Sequence, residues 1–301
     1  MSKPLLRIAA AQFPVFEPQD WAAVERTVRH FVSQAAEQGA QLLVFPEYAA
    51  MSLAALFPDT IKGHLQAELR AIQSLHGDWL ALHASLAREH QLHILAGSFP
   101  VQIGDDSYRN RAHFFAPNGN SGWQDKWTMT RFETELWGIH AGDTLKVFDT
   151  ALGRIAINIC YDVEFPLLAR AQVEAGAEII LAPSCTDTTA GYWRVRVGAQ
   201  ARALENQCVV VQAPLVGEAP WSACVDMNVG MAGVYTPPDR GLPDDGVLAM
   251  GEWNQAQCVI ADIDPAKFAA VRADGQVFNH RDWTRQPGLG AVPIVVIEDL
   301  R

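Results

Sequence analysis

Residues Gly153 to Glu174 read GRIAINICYDVEFPLLARAQVE, and this stretch limits the folds open to the chain more than any other. Ile155, Ala156, Ile157, Ile159 and Cys160 form a short run in which only Asn158 is polar. Such a run suits a strand buried on both faces, as in a sheet covered by helices. Tyr161, Asp162 and Val163 end it, and Pro166 opens a helical pattern carried by Leu167, Leu168, Ala171 and Val173. Cys160 therefore falls on a strand-to-helix turn. Amides at the start of a helix point their N–H groups outward, a field that favours an anion. That field would lower a thiol pKa and could hold an oxyanion. The plain alternative for a single cysteine is a buried structural one.

Strand and helix patterns alternate from the start of the chain. Leu5 to Phe13 is a strand candidate. Asp20 can cap a helix in which Trp21, Val24, Val28, Phe31, Val32 and Ala35 recur at helical spacing until Gly39. Ala40 to Phe45 is a second apolar strand, and it runs directly into Pro46-Glu47-Tyr48. This strand–helix–strand order implies parallel neighbours. Thr60 to His90 reads as helical with a break around Gly77, and Leu92 to Phe99 as a third strand. Pro117-Asn118-Gly119-Asn120 is a turn signal between Arg111–Ala116 and Gly122–Thr128, so an antiparallel hairpin is expected there. Lys126 sits in its second arm among Trp123, Trp127, Met129 and Phe132, which implies a partly desolvated ammonium. Thr130 to Gly142 has no period and reads as a loop bearing the acids Glu133 and Glu135. Further strands are expected at Leu145–Thr150, Glu178–Ala182, Cys208–Ala213, Val225–Tyr235 and Cys258–Ile263. Helices are expected at Trp193–Asn206 and Pro265–Val271, and Val292–Ile297 suits a sheet edge. Without a repeat or a low-complexity linker, residues 1–301 read as a single α/β domain.

Charge and composition exclude several classes. The net charge is −11 and no Lys/Arg cluster stands out, which argues against nucleic acid or an anionic membrane as a partner. No apolar run approaches the ~20 residues that cross a bilayer. Arg7 interrupts the first apolar run and no small-residue cleavage site follows, so a strand is expected there in place of a signal peptide. The five cysteines contain no C-x-x-C pair, so neither a zinc site nor a disulfide framework is indicated, and the cytoplasm is the simplest home.

An acid at a strand end (Glu47), a lysine near aromatics (Lys126) and a thiol on a turn (Cys160) match the needs of acyl transfer. A thiolate attacking a carbonyl needs a base, a partner for the oxyanion and an acid for the leaving group. The blocks FPEY around Glu47, DKW around Lys126 and ICYDVEFP around Cys160 resemble the three signature blocks of the nitrilase or carbon–nitrogen hydrolase superfamily. RALENQCVVVQA from Arg202 and IADIDPAKFAAVR from Ile260 extend the resemblance over nearly the whole chain. The resemblance implies a four-layer α-β-β-α sandwich with two mixed sheets. It implies a Glu-Lys-Cys triad, with Glu47 as base, Lys126 holding the oxyanion and orienting Glu47, and Cys160 as nucleophile. The Tyr161 N–H would be a second oxyanion donor. A second acid follows the lysine in many members. Glu135 is favoured over Glu133 here, because Gly142-Asp143 seven residues later matches the family's Gly-Asp pair. The implied reaction turns a small-molecule amide into an acid through a thioester, with no metal or organic cofactor. Homodimers or larger assemblies are implied as well, and the tail from about residue 278 is a candidate for such an interface.

The nucleophile block points to a branch of the family, and Glu164 and the stretch Asn228 to Tyr235 depart from the family pattern. Cys160-Tyr161-Asp162 resembles the amidase branches, whereas nitrile hydrolysers usually carry Cys-Trp-Glu. Glu164 stands where several amidases place an arginine that meets a substrate carboxylate. A carboxylate would be repelled there, so the expected substrate is neutral or cationic at that end, unless Glu164 turns outward as first-turn helix charge. The stretch Asn228 to Tyr235 also lacks the Gly-x-Ser of many relatives. Trp127, Trp137, Trp193 and Trp221 are candidates for a pocket wall, with core or interface positions as the alternative. The competing functions are a nitrilase proper and a catalytically silent binding member of the fold.

Overall fold

Alternation along the first strand sorts its side chains between two cores. In β1 (Leu6–Pro14), Ala9, Ala11 and Phe13 face a core capped by helices, while Leu6, Ile8 and Ala10 face a second sheet. The structure, a computed structural model, describes residues 5–286. The first sheet continues through β2 (Leu42–Val44), β3 (His93–Gly104), β4 (Ser107–Phe115) and β5 (Ser121–Asp125). The second holds β6 (Val147–Thr150), β7 (Gly153–Ile157), β8 (Ile179–Ser184), β9 (Val209–Glu218), β10 (Met227–Asn228), β11 (Gly233–Tyr235) and β12 (Val247–Met250). β13 (Gln257–Ile263) returns to pair with β1. Both sheets are mixed. β1, β2 and β3 run parallel and β3, β4 and β5 antiparallel, while β7, β8 and β9 run parallel beside antiparallel β6 and β11.

Helices cover the outer faces. α1 (Trp21–Glu37), α2 (Leu65–Ala71) and α3 (His76–Glu89) belong to the first half, and α1 and α3 pack on the first sheet. α4 (Pro166–Glu174) and α5 (Thr189–Asn206) cover the second sheet, through Ala169, Val173, Val195, Ala199 and Ala203. α6 (Pro265–Asp274) and the short α7 (Asn279–Asp282) close the described chain. The expected α-β-β-α sandwich is thus present, with one addition. The two sheets are joined, because β1 divides one edge between two partners. β13 pairs with Leu6 to Gln12, and β9 pairs with Phe13 and Pro14.

The local expectations hold where the signal is local. Asp20 caps α1, accepting from the Ala23 N–H at 2.7 Å. The break in the long helical region is a 3₁₀ turn at Ile72–Leu75, and Gly77 lies inside α3, near a helix start where its freedom costs little. The stretch Val225–Tyr235 splits into β10 and β11. Val292–Ile297 and most of the tail from residue 278 lie outside the described residues. No helix among the described residues is long and apolar enough to cross a membrane.

Candidate functional site

Phe45 and Pro46 carry the chain out of β2 to Glu47. Tyr48 follows at φ 57°, in the left-handed region, where a side chain costs strain. Gly97 of β3 permits this passage: its φ is +70°, and a Cβ there would collide with the Pro46 carbonyl oxygen. Lys126 lies one residue past β5, and its backbone N–H donates to the Asn110 carbonyl of β4 at 2.8 Å. Its side chain turns inward and is 1% exposed. Trp123 is not its neighbour, being exposed beneath Lys146 and Arg111 instead. β7 ends at Ile157, and Cys160 opens a 3₁₀ turn, Cys160–Glu164, with φ 50°. A second strained residue therefore presents the thiol.

These elements bring four side chains together. The Lys126 ammonium donates to Glu47 Oε1 at 2.8 Å and to Glu133 Oε2 at 2.7 Å. Asn110 Nδ2 donates to Oε1 of both carboxylates, at 2.8 Å and 3.1 Å. Glu133 also accepts from the Tyr48 hydroxyl at 2.7 Å and from the Thr130 N–H and hydroxyl at 2.8 and 2.9 Å. The Cys160 thiol donates to the Cys185 carbonyl oxygen at 3.7 Å and lies close enough to Glu47 and Lys126 to feel both charges.

The donors are shared unequally, and this sets the charges. Burial alone would raise the Glu133 carboxyl, but Lys126, Tyr48 and Thr130 hold it below the usual carboxylate range. Burial does raise Glu47, with Lys126 opposing and Glu133 adding to the rise. Burial would lower Lys126, but the two carboxylates hold its ammonium well above the ordinary lysine value. Burial pushes the Cys160 thiol well up, and the Glu47 charge pushes it further. The expectation of a lowered thiol pKa is thus reversed. The 3₁₀ turn separates Cys160 from the start of α4, and the sulfur is buried near an acid. Glu47 is the group of this set best able to exchange a proton with the thiol.

Glu135 is the correction among the site residues. It is half exposed and pairs with Arg131 at 2.9 Å, while Glu133 takes the place beside Lys126. The segment expected as a loop is a helical turn with π spacing, Glu133–Trp137. Side chains two apart on such a turn point to opposite sides, so only one of the two acids can face inward. The sequence does carry a signal for this, Thr130-x-x-Glu133. The Thr130 N–H meets the Glu133 side chain and the Thr130 hydroxyl meets the Glu133 N–H, a reciprocal helix-start pattern.

Asp162, which no sequence signal singles out, ties the site together. Its carboxylate accepts from the N–H groups of Trp127 (3.1 Å) and Thr128 (2.7 Å), directly after Lys126, and of Ile159 (3.3 Å), just before Cys160. Burial lifts it to about 7, against the pull of Lys126 and these donors. Gly142 N–H donates to the Lys126 carbonyl at 2.8 Å, which accounts for the Gly-Asp pair as an anchor of the same segment.

A cavity of about 600 Å³ opens onto Glu47, Lys126, Glu133 and Cys160. Tyr161 and Glu164 line it too, so Glu164 does not turn away. Trp137 forms part of the wall, packed against Tyr48 with ring centroids 4.9 Å apart. Asn228 reaches the same cavity and takes a hydrogen bond from the Cys185 thiol at 3.2 Å. No cluster of three or more His, Cys, Asp or Glu among the described residues could hold a metal ion.

A family model described as carbon–nitrogen hydrolase matches residues 7–273. The chain is 33% identical over 280 residues to the probable hydrolase YhcX of Bacillus subtilis, covering 93% of this chain and 54% of that protein. It is 24% identical to the omega-amidase NIT2 of Bos taurus, covering 83% of this chain and 86% of that one. Among solved structures, Saccharomyces cerevisiae Nit3, a member of branch 10 of the nitrilase superfamily, matches with a TM-score of 0.73 at 20% identity. That match covers 90% of this chain and 94% of Nit3.

Proposed function

Because this chain belongs to the carbon–nitrogen hydrolase family, we propose that it hydrolyses a small linear amide to an acid and ammonia or an amine, through a thioester on Cys160. The observation that carries this reading is the Cys160 thiol opening onto the same cavity as Glu47, which is tied to the buried Lys126–Glu133 pair. Glu47 takes the thiol proton as the sulfur attacks the amide carbonyl. Lys126 has three N–H donors and two go to carboxylates, which leaves one for the oxyanion, beside the Tyr161 backbone N–H. The oxyanion collapses, Glu47 passes its proton to the leaving nitrogen, and a thioester remains. Glu47 then deprotonates a water that attacks the thioester, and the acid leaves as the thiol regains its proton. Glu133 keeps the ammonium charged and in place throughout. The Cys160-Tyr161-Asp162 block, where nitrile hydrolysers usually carry Cys-Trp-Glu, supports an amide in preference to a nitrile. Incubation with a panel of amides and nitriles, with acid and ammonia both measured, tests the reading. Turnover of nitriles with no turnover of amides would overturn it.

The acid limb of the rate profile should report Glu47. The base works ionised, and burial has raised its pKa, so kcat/KM should fall as pH drops through a value above the ordinary carboxylate range. No loss from Lys126 is expected at moderately alkaline pH, since its ammonium is held well above the usual value. A kcat/KM profile that stays flat down to pH ~4 would count against Glu47 as the base.

The two neighbouring acids separate cleanly by mutation. Glu133→Gln is expected to lower kcat/KM on the order of 10²-fold, while Glu135→Gln stays within about twofold, as for an exposed surface pair. Equal losses in the two variants would show that Glu135 reaches the site in solution.

A further inference from the structure

One wall of the cavity carries two charges of opposite sign that the chemistry above leaves unused. Glu164 ends the turn that begins at Cys160 and is partly buried. Arg194 projects from the early part of α5 into the same cavity. Among the described residues, no hydrogen bond or ion pair holds either side chain, although each lies close enough to feel the other's charge. The remaining charges on the wall do not change this picture. Arg131 is occupied by Glu135, and Asp187 and Asp226 are exposed acids that add negative charge to the lining.

An unpaired carboxylate and an unpaired guanidinium in one cavity complement a ligand that carries an ammonium and a carboxylate together. We propose that the non-reacting end of the substrate is a zwitterion, an α-amino acid head group. Its ammonium meets Glu164, its carboxylate meets Arg194, and its side-chain amide reaches Cys160. This rests on the amide-hydrolase reading and names the substrate class for it. The products are then an acidic amino acid and ammonia, one water being consumed. A monoamide with only a carboxylate would meet Glu164, Asp187 and Asp226 with one free arginine in return, and is disfavoured. The expectation of no carboxylate at Glu164 is kept, and the carboxylate is assigned to the opposite charge.

Four amides of matched length test this: L-glutamine, 4-aminobutanamide without the carboxylate, glutaramate without the ammonium, and butanamide without either. L-Glutamine is expected to have the highest kcat/KM, by about tenfold or more over each analogue, because each analogue leaves a charged group of the site unmatched. Arg194→Gln should lower the ratio of glutamine to 4-aminobutanamide by about tenfold or more, and Glu164→Gln the ratio of glutamine to glutaramate likewise. Both ratios are internal, so a variant of reduced overall stability still gives a reading. A highest kcat/KM for any analogue, or ratios unmoved by the two variants, overturns the zwitterion while amide hydrolysis stands. Turnover of none of the four, with turnover of another amide in the wider panel, overturns it in the same way. Turnover of no amide at all removes the premise as well.

Discussion

Cys160→Ala is expected to lower amide turnover on the order of 10⁵-fold or more, with the fold intact. The size follows from the unity of the site: once the nucleophile is gone, the base and the oxyanion donors have no covalent step to assist. The fold should survive because alanine keeps Cβ and vacates only the volume of the sulfur. It gives up only the thiol's long hydrogen bond to the Cys185 carbonyl. The melting temperature should stay within a few degrees of wild type. Mass spectrometry gives the complementary readout. Wild type quenched during amide turnover should carry an acyl mass on Cys160, and the variant none. A variant that keeps more than about a tenth of the wild-type rate would place the nucleophile elsewhere.

Lys126→Met should strike stability and activity together. Its ammonium is 1% exposed and bonds two carboxylates that are themselves buried. Removing one member of a buried charge set leaves the others uncompensated, at a cost of about 3–5 kcal/mol. For a chain of this length that is a fall in melting temperature on the order of 10 °C. Turnover should fall on the order of 10³-fold, because an oxyanion donor and the partner of the base disappear in one step. The double variant Lys126→Met/Glu133→Gln should recover part of the stability, since one stranded charge is gone, and none of the activity. Thermal melts and initial rates on the two variants check this. A single variant as stable as wild type would mean that the carboxylates already share a proton and need no cation.

Much of the scaffold is legible in the sequence because its signals are local. β1, α1 with its Asp20 cap, the hairpin around Pro117-Asn118-Gly119-Asn120 and the turn at Cys160 are each encoded within a short consecutive stretch. Glu47, Lys126 and Cys160 can be named from their blocks, and they do meet. What escapes is decided by partners far along the chain. Asn110 reads as one polar residue in a strand, and only the folded sheet shows it feeding both Glu47 and Glu133. Asp162 reads as a turn residue, yet its partners lie 34 and 35 residues away. The thiol pKa runs opposite to expectation for a related reason. A turn predicts a helix field from sequence, but burial is set by the whole fold, and here burial is the larger effect. Counting back from Gly142 points to Glu135, and a turn with π spacing spoils such a count.

The three N–H groups gathered by Asp162 have a consequence for how a substrate arrives. They fasten the backbone after Lys126 to the backbone before Cys160, so the ammonium and the sulfur ride on one stiff seam. At the mouth of the cavity Met227 stands exposed on β10, off this seam. A substrate that displaces this side chain leaves the ammonium and the sulfur at their mutual spacing.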